Sequence, residues 1–269
     1  MGNRMYILDN GYMELDENQM IALSVMGLTN DKHPQCRWMQ IPVYCILIHN
    51  DEAGWILFDT GCNPNCSNAS PDEPVCRYFF NDDQRLENQL AKVGLKPSDI
   101  NIVVASHMHV DHGGGFYLFT DTDAECYVNG DEFAYTLKKV FQSQNPADWA
   151  GTERNDLIVP IKKWNFLPNE DYEIAPGVKL LYLPGHSFGL MGLQLTLDSG
   201  TILYPVDTCN THINYGPPAR LSGIVYDSIA MMNSIEKVRR IEKATHAKVI
   251  FPHDMELFKQ FKLAPEYYE

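Results

Sequence analysis

The sequence predicts an α/β fold, on three observations. Short apolar runs that read as buried strands, such as Ile102-Val103-Val104-Ala105, alternate with segments of helical spacing. The runs ending at Asp59, Ala105, Leu183, Val206 and Phe251 each meet a His or Asp at their tip or within a few residues, so five strands would deliver metal-competent groups to one shared rim. A chain of 269 residues, 45% hydrophobic and 21% charged, holds ample material for the core such a fold needs.

Taken in order, residues 5–9 read as an edge strand and 12–26 as irregular with strand character. Residues 29–37 are polar and are expected to form a mobile loop. The runs 41–49 and 55–59 predict a hairpin turned at 50–54. Its second strand ends in Asp59-Thr60-Gly61, where the carboxylate is either a turn former or an acceptor that orients a ligating imidazole. A turn-rich loop at 63–74 leads to Arg77-Tyr78-Phe79-Phe80, aromatic residues suited to plain packing, a lid or a dimer contact. Leu86, Leu90 and Val93 predict a helix over 84–93, stopped by Gly94. Strands follow at 102–105, 125–129, 164–167, 178–183, 190–197, 201–206 and 248–251, with a helix at 131–141 and an irregular stretch at 145–163. Ile229, Met232, Ile235, Val238 and Ile241 form the core-facing stripe of a helix over 228–244.

The chemistry concentrates in Ser106-His107-Met108-His109-Val110-Asp111-His112-Gly113-Gly114-Gly115. In an extended segment His107 and His109 point to the same side and can share a metal, whereas Asp111 and His112 lie past the bend and can turn to a second one. Imidazole with carboxylate suits zinc, or divalent iron, manganese or cobalt. The three glycines mark a turn where side chains would obstruct close packing or a ligand. The plainer alternatives are a surface histidine cluster or a helix start capped by Asp111. Nine histidines in the whole chain make three within six positions a poor accident, and a closed structural zinc site would rely on cysteines that this stretch lacks.

A formal net charge of −14 argues against partners bound through phosphates, nucleic acid or anionic membrane alike. No signal peptide is expected, since the N-terminus turns acidic at Asp9 before any long apolar run, and Tyr6 stands where a myristoylation motif needs Ser or Thr. Seven cysteines, an odd number without secretory context, predict reduced thiols and a cytoplasmic location. Cys62, Cys66 and Cys76 crowd one loop without matching a strong zinc spacing, and read as unliganded.

The set His107-x-His109-x-Asp111-His112, then Gly185-His186, Asp207 and His253, resembles the metallo-β-lactamase superfamily across almost the whole chain. Leu8-Asp9-Asn10-Gly11, Asp59-Thr60-Gly61, Ser222-Gly223-Ile224-Val225-Tyr226-Asp227 and His253-Asp254-Met255-Glu256 look like its N-acyl-homoserine lactonase group. The resemblance implies one domain over 1–269, a four-layer αββα sandwich with a dinuclear site at one edge. It implies that His107, His109 and His186 hold one metal, that Asp111, His112 and His253 hold the other, and that Asp207 bridges them. Two divalent ions, zinc foremost, would then activate a shared hydroxide to open a lactone ring, with Asp111 passing a proton to the leaving alkoxide. The alternatives within the superfamily are a glyoxalase II-like thioesterase, a β-lactamase or a phosphoesterase. A homodimer is expected from the resemblance alone.

One position departs from the group. Where its members commonly carry a carbonyl-contacting tyrosine, three residues after the bridging Asp, this chain has Asn210, expected to take that catalytic place as a shorter hydrogen-bond donor. His212 and Tyr215 are the residues nearby that could reach the same gap. Cys209 reads as packing, because Asp207 already supplies the ligand there. Met26, Met39, Tyr78, Phe79, Phe80 and Phe188 lie in segments able to flank the rim, with core packing as their ordinary use.

Overall fold

A computed structural model describes residues 2–149 and 151–269; Met1, and Ala150 within the stretch 145–163, lie outside the described residues. Twelve strands are present among them: β1 (Asn3–Asp16), β2 (Trp38–Asn50), β3 (Gly54–Phe58), β4 (Cys76–Phe79), β5 (Ile102–Val104), β6 (Glu125–Asn129), β7 (Trp164–Leu167), β8 (Tyr172–Ala175), β9 (Val178–Tyr182), β10 (Met191–Leu197), β11 (Gly200–Tyr204) and β12 (Lys248–Val249). They form a seven-stranded sheet in the order β4-β1-β2-β3-β5-β6-β7 and a five-stranded sheet in the order β12-β11-β10-β9-β8.

Alternation along the strands makes the layers. In β1 and β2, Ile7 and Ile46 face the second sheet, where Leu180, Leu193, Leu195 and Leu203 meet them. Their chain neighbours Leu8 and Leu47 face the other way, onto helix residues Leu86, Leu90 and Val140. The helix Ser228–Thr245, whose start is capped by the Asp227 carboxylate, covers the second sheet. Helix, sheet, sheet and helix give the expected αββα sandwich. Among the described residues no helix is long and apolar enough to cross a membrane.

The topology also explains the rim. β3 and β5 run parallel in one sheet, and β12 runs parallel to β11 in the other. β9 runs antiparallel to β10, which runs antiparallel to β11, so β9, β11 and β12 share a direction. All five therefore release the chain at their C-terminal ends toward one edge. Glycine lets that edge close: a Cβ on Gly114 would sit 2.4 Å from the Asn63 nitrogen, and one on Gly115 would sit 2.3 Å from the Thr60 carbonyl oxygen. The loop after β5 thus lies directly on the loop after β3.

Several expectations are corrected. The segment 5–9 is the start of a longer strand: β1 runs on to Asp16, followed by a helical turn Glu17–Met20. β4 flanks only its far half, Cys76 to Phe79 pairing with Leu15 to Tyr12, whereas the outer side of 5–9 carries single bridges from Met5 to Tyr268 and from Ile7 to Leu263. Of the uses open to the aromatic segment, plain packing is the one seen: Cys76–Phe79 is a strand, and Phe79 stacks on Tyr12. β8 was not anticipated, and the last strand is only two residues long. In the helix Ser228–Thr245 the expected stripe holds except at its start: Ile235 and Val238 are buried and Met232 and Ile241 pack partly buried on the core, whereas Ile229 is exposed and Met231 and Ser234 are buried beside them. The stretch 145–163 contains the helical turns Pro146–Asp148 and Arg154–Leu157. All seven cysteines are free, and Cys209 packs with Met231, Ile235 and Phe251 as expected.

Asp156, in the turn Arg154–Leu157, is 4% exposed. Its Oδ1 accepts from the Asn63 amide at 3.0 Å, and its Oδ2 has no partner. Burial pushes this carboxyl up to about 7, against the pull of Asn63. A raised acid favours the folded state while protonated, so its contribution is full below the unfolded value of 3.8 and is lost as pH rises through about 7. The loss is at most about 4 kcal/mol. Asp156→Asn is expected to raise the melting temperature at pH 8 by several degrees and by less at pH 5. Equal shifts at both pH values would show that the ionised carboxylate is not the destabilising group.

Candidate metal centre

The strand ends bring seven expected donors into two groups. His107, His109, His186 and Asp207 form one; Asp111, His112 and His253 form the other, with ligand atoms in each group within 4.8 Å of one another. Asp207 faces both. Its Oδ2 lies 3.3 Å from His186 Nε2, and its Oδ1 lies 3.3 Å from His112 Nε2 and 3.2 Å from His253 Nε2. Val206 just before it takes a left-handed φ of 50°, which a β-branched residue adopts only under strain.

The ring orientations are fixed from outside the cluster. Asp59, itself at φ 62°, accepts at Oδ1 from the Ser106 backbone N–H at 2.7 Å and at Oδ2 from His112 Nδ1–H at 2.8 Å. Ser106 Oγ donates to the same carboxylate at 3.0 Å, so it must accept from His107 Nδ1–H, also at 3.0 Å. His186 Nδ1–H donates to the Ile224 carbonyl at 3.0 Å, and His253 Nδ1–H to the Pro42 carbonyl at 3.1 Å. In these four rings the outer nitrogen carries the proton, which leaves the Nε2 lone pair turned inward. The expectation that Asp59 orients an imidazole describes its contacts.

These atoms suit cations. His107 Nε2, His112 Nε2 and Asp207 Oδ1 are buried without a hydrogen-bond partner among the described residues, an arrangement costly for polar atoms unless something charged satisfies them. Burial pushes His107 well down and His186 to about 4, the lone-pair state of a ligand. Burial also works against the charges of Asp111 and Asp207, yet the surrounding imidazoles hold Asp111 at about 2 and Asp207 well below the carboxylate range. The same carboxylates, working against burial, push His112 well up and His253 up, so these two rings hold protons where cations would otherwise offset the aspartates. With those protons released, the nitrogen and oxygen set fits two divalent ions.

Beside the donors lies a groove of ≈ 560 Å³, reached by His109, Asp111, Asp207 and His253. Its walls are largely apolar, with Met13, Leu15, Met20, Ile41, Trp149 and Ile224, and its acids are Glu73 and Glu153 besides the two aspartates. No Lys or Arg is among the described residues that line it.

The family model described as the metallo-beta-lactamase superfamily matches residues 38–253. The chain belongs to the metallo-beta-lactamase superfamily. The N-acyl homoserine lactonase AiiB of Agrobacterium fabrum (strain C58) is 31% identical to it over 96% of both chains. The lactonase AiiA of Bacillus thuringiensis subsp. kurstaki is 28% identical over 98% of both. A solved N-acyl homoserine lactone hydrolase, with the product N-hexanoyl-L-homoserine at its catalytic metal centre, matches with a TM-score of 0.82 and 26% identity over 100% of both chains.

Within this superfamily fold the seven donors meet, whereas the other expected contacts stand elsewhere. Asn210 is 0% exposed and is not among the groove residues. Its amide donates to the Met20 carbonyl at 3.3 Å and to Ser222 Oγ at 3.0 Å, and its backbone carbonyl accepts from the His253 N–H at 2.9 Å. This corrects the expectation of a carbonyl contact: Asn210 joins the groove wall to the loop of His253. His212 pairs with Asp254, and the Tyr215 hydroxyl donates to Glu242, so neither fills the gap. Met26, Met39, Tyr78, Phe79, Phe80 and Phe188 are likewise outside the groove lining. The groove residues Met20 and Trp149 gave no signal in the sequence, because loops bring them to the rim.

Proposed function

We propose that this protein is a dinuclear zinc hydrolase that opens the lactone ring of N-acyl homoserine lactones. The charge of the groove carries the reading. A site with an apolar wall, four acids and no cation beyond the proposed metals favours a neutral substrate with an apolar tail. It disfavours phosphoesters, glutathione thioesters and β-lactam carboxylates, which arrive as anions. The full-length likeness to curated lactonases supports the same substrate class.

In this reading His107, His109 and His186 hold one ion, Asp111, His112 and His253 the other, and Asp207 both. When bound, the pair supplies hydroxide at neutral pH and polarises the ester carbonyl. The chain's own residues do the rest. Trp149, Met20 and Ile224 exclude water and hold the acyl chain. Asp111, a groove residue whose Oδ2 lies 3.5 Å from both His112 and His253 Nε2, is ionised at rest, so it would take a proton from the attacking water and pass it to the leaving alkoxide. The nitrogen and oxygen donors favour zinc, with iron, manganese and cobalt as the competitors that elemental analysis separates. The free thiols support a cytoplasmic location. Exposed Leu23, Met26, Leu28 and Trp38, which follow Met20 in the chain, support a homodimer, testable by light scattering.

The deciding experiment is a proton-release assay on metal-loaded protein. The panel comprises acyl homoserine lactones of several chain lengths, simple γ-lactones, a lactoyl thioester and a β-lactam. The expected result is a kcat/KM for acyl homoserine lactones about 100-fold above that for the anionic substrates. Turnover of the thioester or β-lactam with none of the lactones would overturn the substrate class.

A further inference from the structure

Outside the two donor groups, one buried acid touches the loops that carry the first of them. Glu132 sits in the first turn of the helix Gly130–Gln142, whose Asn129 cap accepts its backbone N–H at 2.9 Å. An acid in that position is ordinarily solvated, where it favours the helix dipole. Here it is 1% exposed, and no Lys or Arg pairs with it among the described residues.

The contacts of the carboxylate account for its place. Oε2 accepts the Gly189 N–H at 2.8 Å. Oε1 accepts the Met108 N–H and the Thr136 hydroxyl, each at 3.4 Å. Met108 lies between His107 and His109, and Gly189 lies three residues after His186. One carboxyl group, which burial pushes up and the Gly189 and Met108 N–H groups pull down, therefore spans the two loops that supply all three histidines of the first donor group, through hydrogen bonds to backbone. The loop of His186 is pressed onto the same helix start: a Cβ on Gly189 would fall 2.1 Å from Asn129 Oδ1. The second donor group is anchored elsewhere, His112 on Asp59 and His253 on Pro42.

We propose that Glu132 is a positioning residue for the first metal position alone, holding the loops of His107, His109 and His186 at ligand spacing. The proposal rests on the dinuclear reading above. Its consequence is a site-selective loss. Without the carboxylate the first position weakens by about tenfold to a hundredfold, as removal of a group that orients ligands does elsewhere. The second position keeps its affinity.

The test compares wild type, Glu132→Gln and Glu132→Ala by competition of bound zinc against a chromophoric chelator and by the visible spectra of cobalt-loaded protein. Wild type should hold two tight equivalents. Each variant should hold one tight and one weakened equivalent, with the glutamine milder because its amide oxygen can still hold one of the two loops. Added zinc should restore the kcat of the variants, which a general loss of structure would not allow. Two tight equivalents in folded Glu132→Gln and Glu132→Ala, or parallel weakening of both, would overturn the proposal. If the alanine variant fails to fold, the glutamine variant decides by the same criterion. Fewer than two equivalents in wild type would overturn the dinuclear reading itself.

Discussion

Asp207→Ala is expected to cost the protein both metal equivalents and to lower kcat/KM by about 10³-fold or more, since each ion is asked to supply several kcal/mol of transition-state stabilisation. Asp207 is the one donor that faces both groups, with Oδ2 toward His186 and Oδ1 toward His112 and His253. Alanine leaves five imidazoles and Asp111 with no shared anion between them, so two neighbouring cations would have a single carboxylate to offset their charge. Asp207→Asn makes the sharper comparison. Its single carbonyl oxygen can face only one group, so one equivalent should survive where alanine keeps less. Elemental analysis beside lactone turnover checks both. Two equivalents in the alanine variant, with turnover within tenfold of wild type, would show that Asp207 bridges nothing.

Asp59→Ala should lower affinity at both positions by about tenfold to a hundredfold, although Asp59 belongs to neither donor group. It holds His112 directly and His107 through Ser106 Oγ, one ring from each group. The substitution also orphans the Ser106 backbone N–H, a stability cost of about 1–3 kcal/mol that thermal melting would register. Asparagine separates the two effects. Its oxygen can keep the Ser106 N–H, but its amide would meet the donors His112 Nδ1–H and Ser106 Oγ–H. Asp59→Asn should thus recover stability while metal affinity stays low. Recovery of both would mean that shape at position 59, and not its paired acceptors, sets the rings.

The metal donors were legible because the chemistry of each is in its side chain and the local signal is strong. A His or Asp just past an apolar run is at a strand tip wherever the strand goes. What the sequence did not disclose depends on partners far along the chain. What flanks β1 is decided far along the chain: its residues Tyr12 to Leu15 pair with β4, which reads locally as loop aromatics, and Met5 and Ile7 are bridged by Tyr268 and Leu263. Asn210 looks available for catalysis by its spacing from Asp207, but the return of Ser222 against the Met20 turn buries its amide. Glu132 gave no signal either, because acids are common in a first helical turn. Only the packing of two distant loops onto that turn makes it unusual.

The order of the strands has a consequence for assembly. The seven-stranded sheet uses residues 3–167 and the five-stranded sheet residues 172–249, so the chain is two consecutive pieces laid face to face. The first piece carries His107, His109, Asp111 and His112, and the second carries His186, Asp207 and His253. Neither piece owns a complete coordination sphere, so each cation would act as a rivet between them. Severed in the short connection at 168–171, the pieces should behave as a complementation pair whose association tightens with zinc and relaxes with chelator.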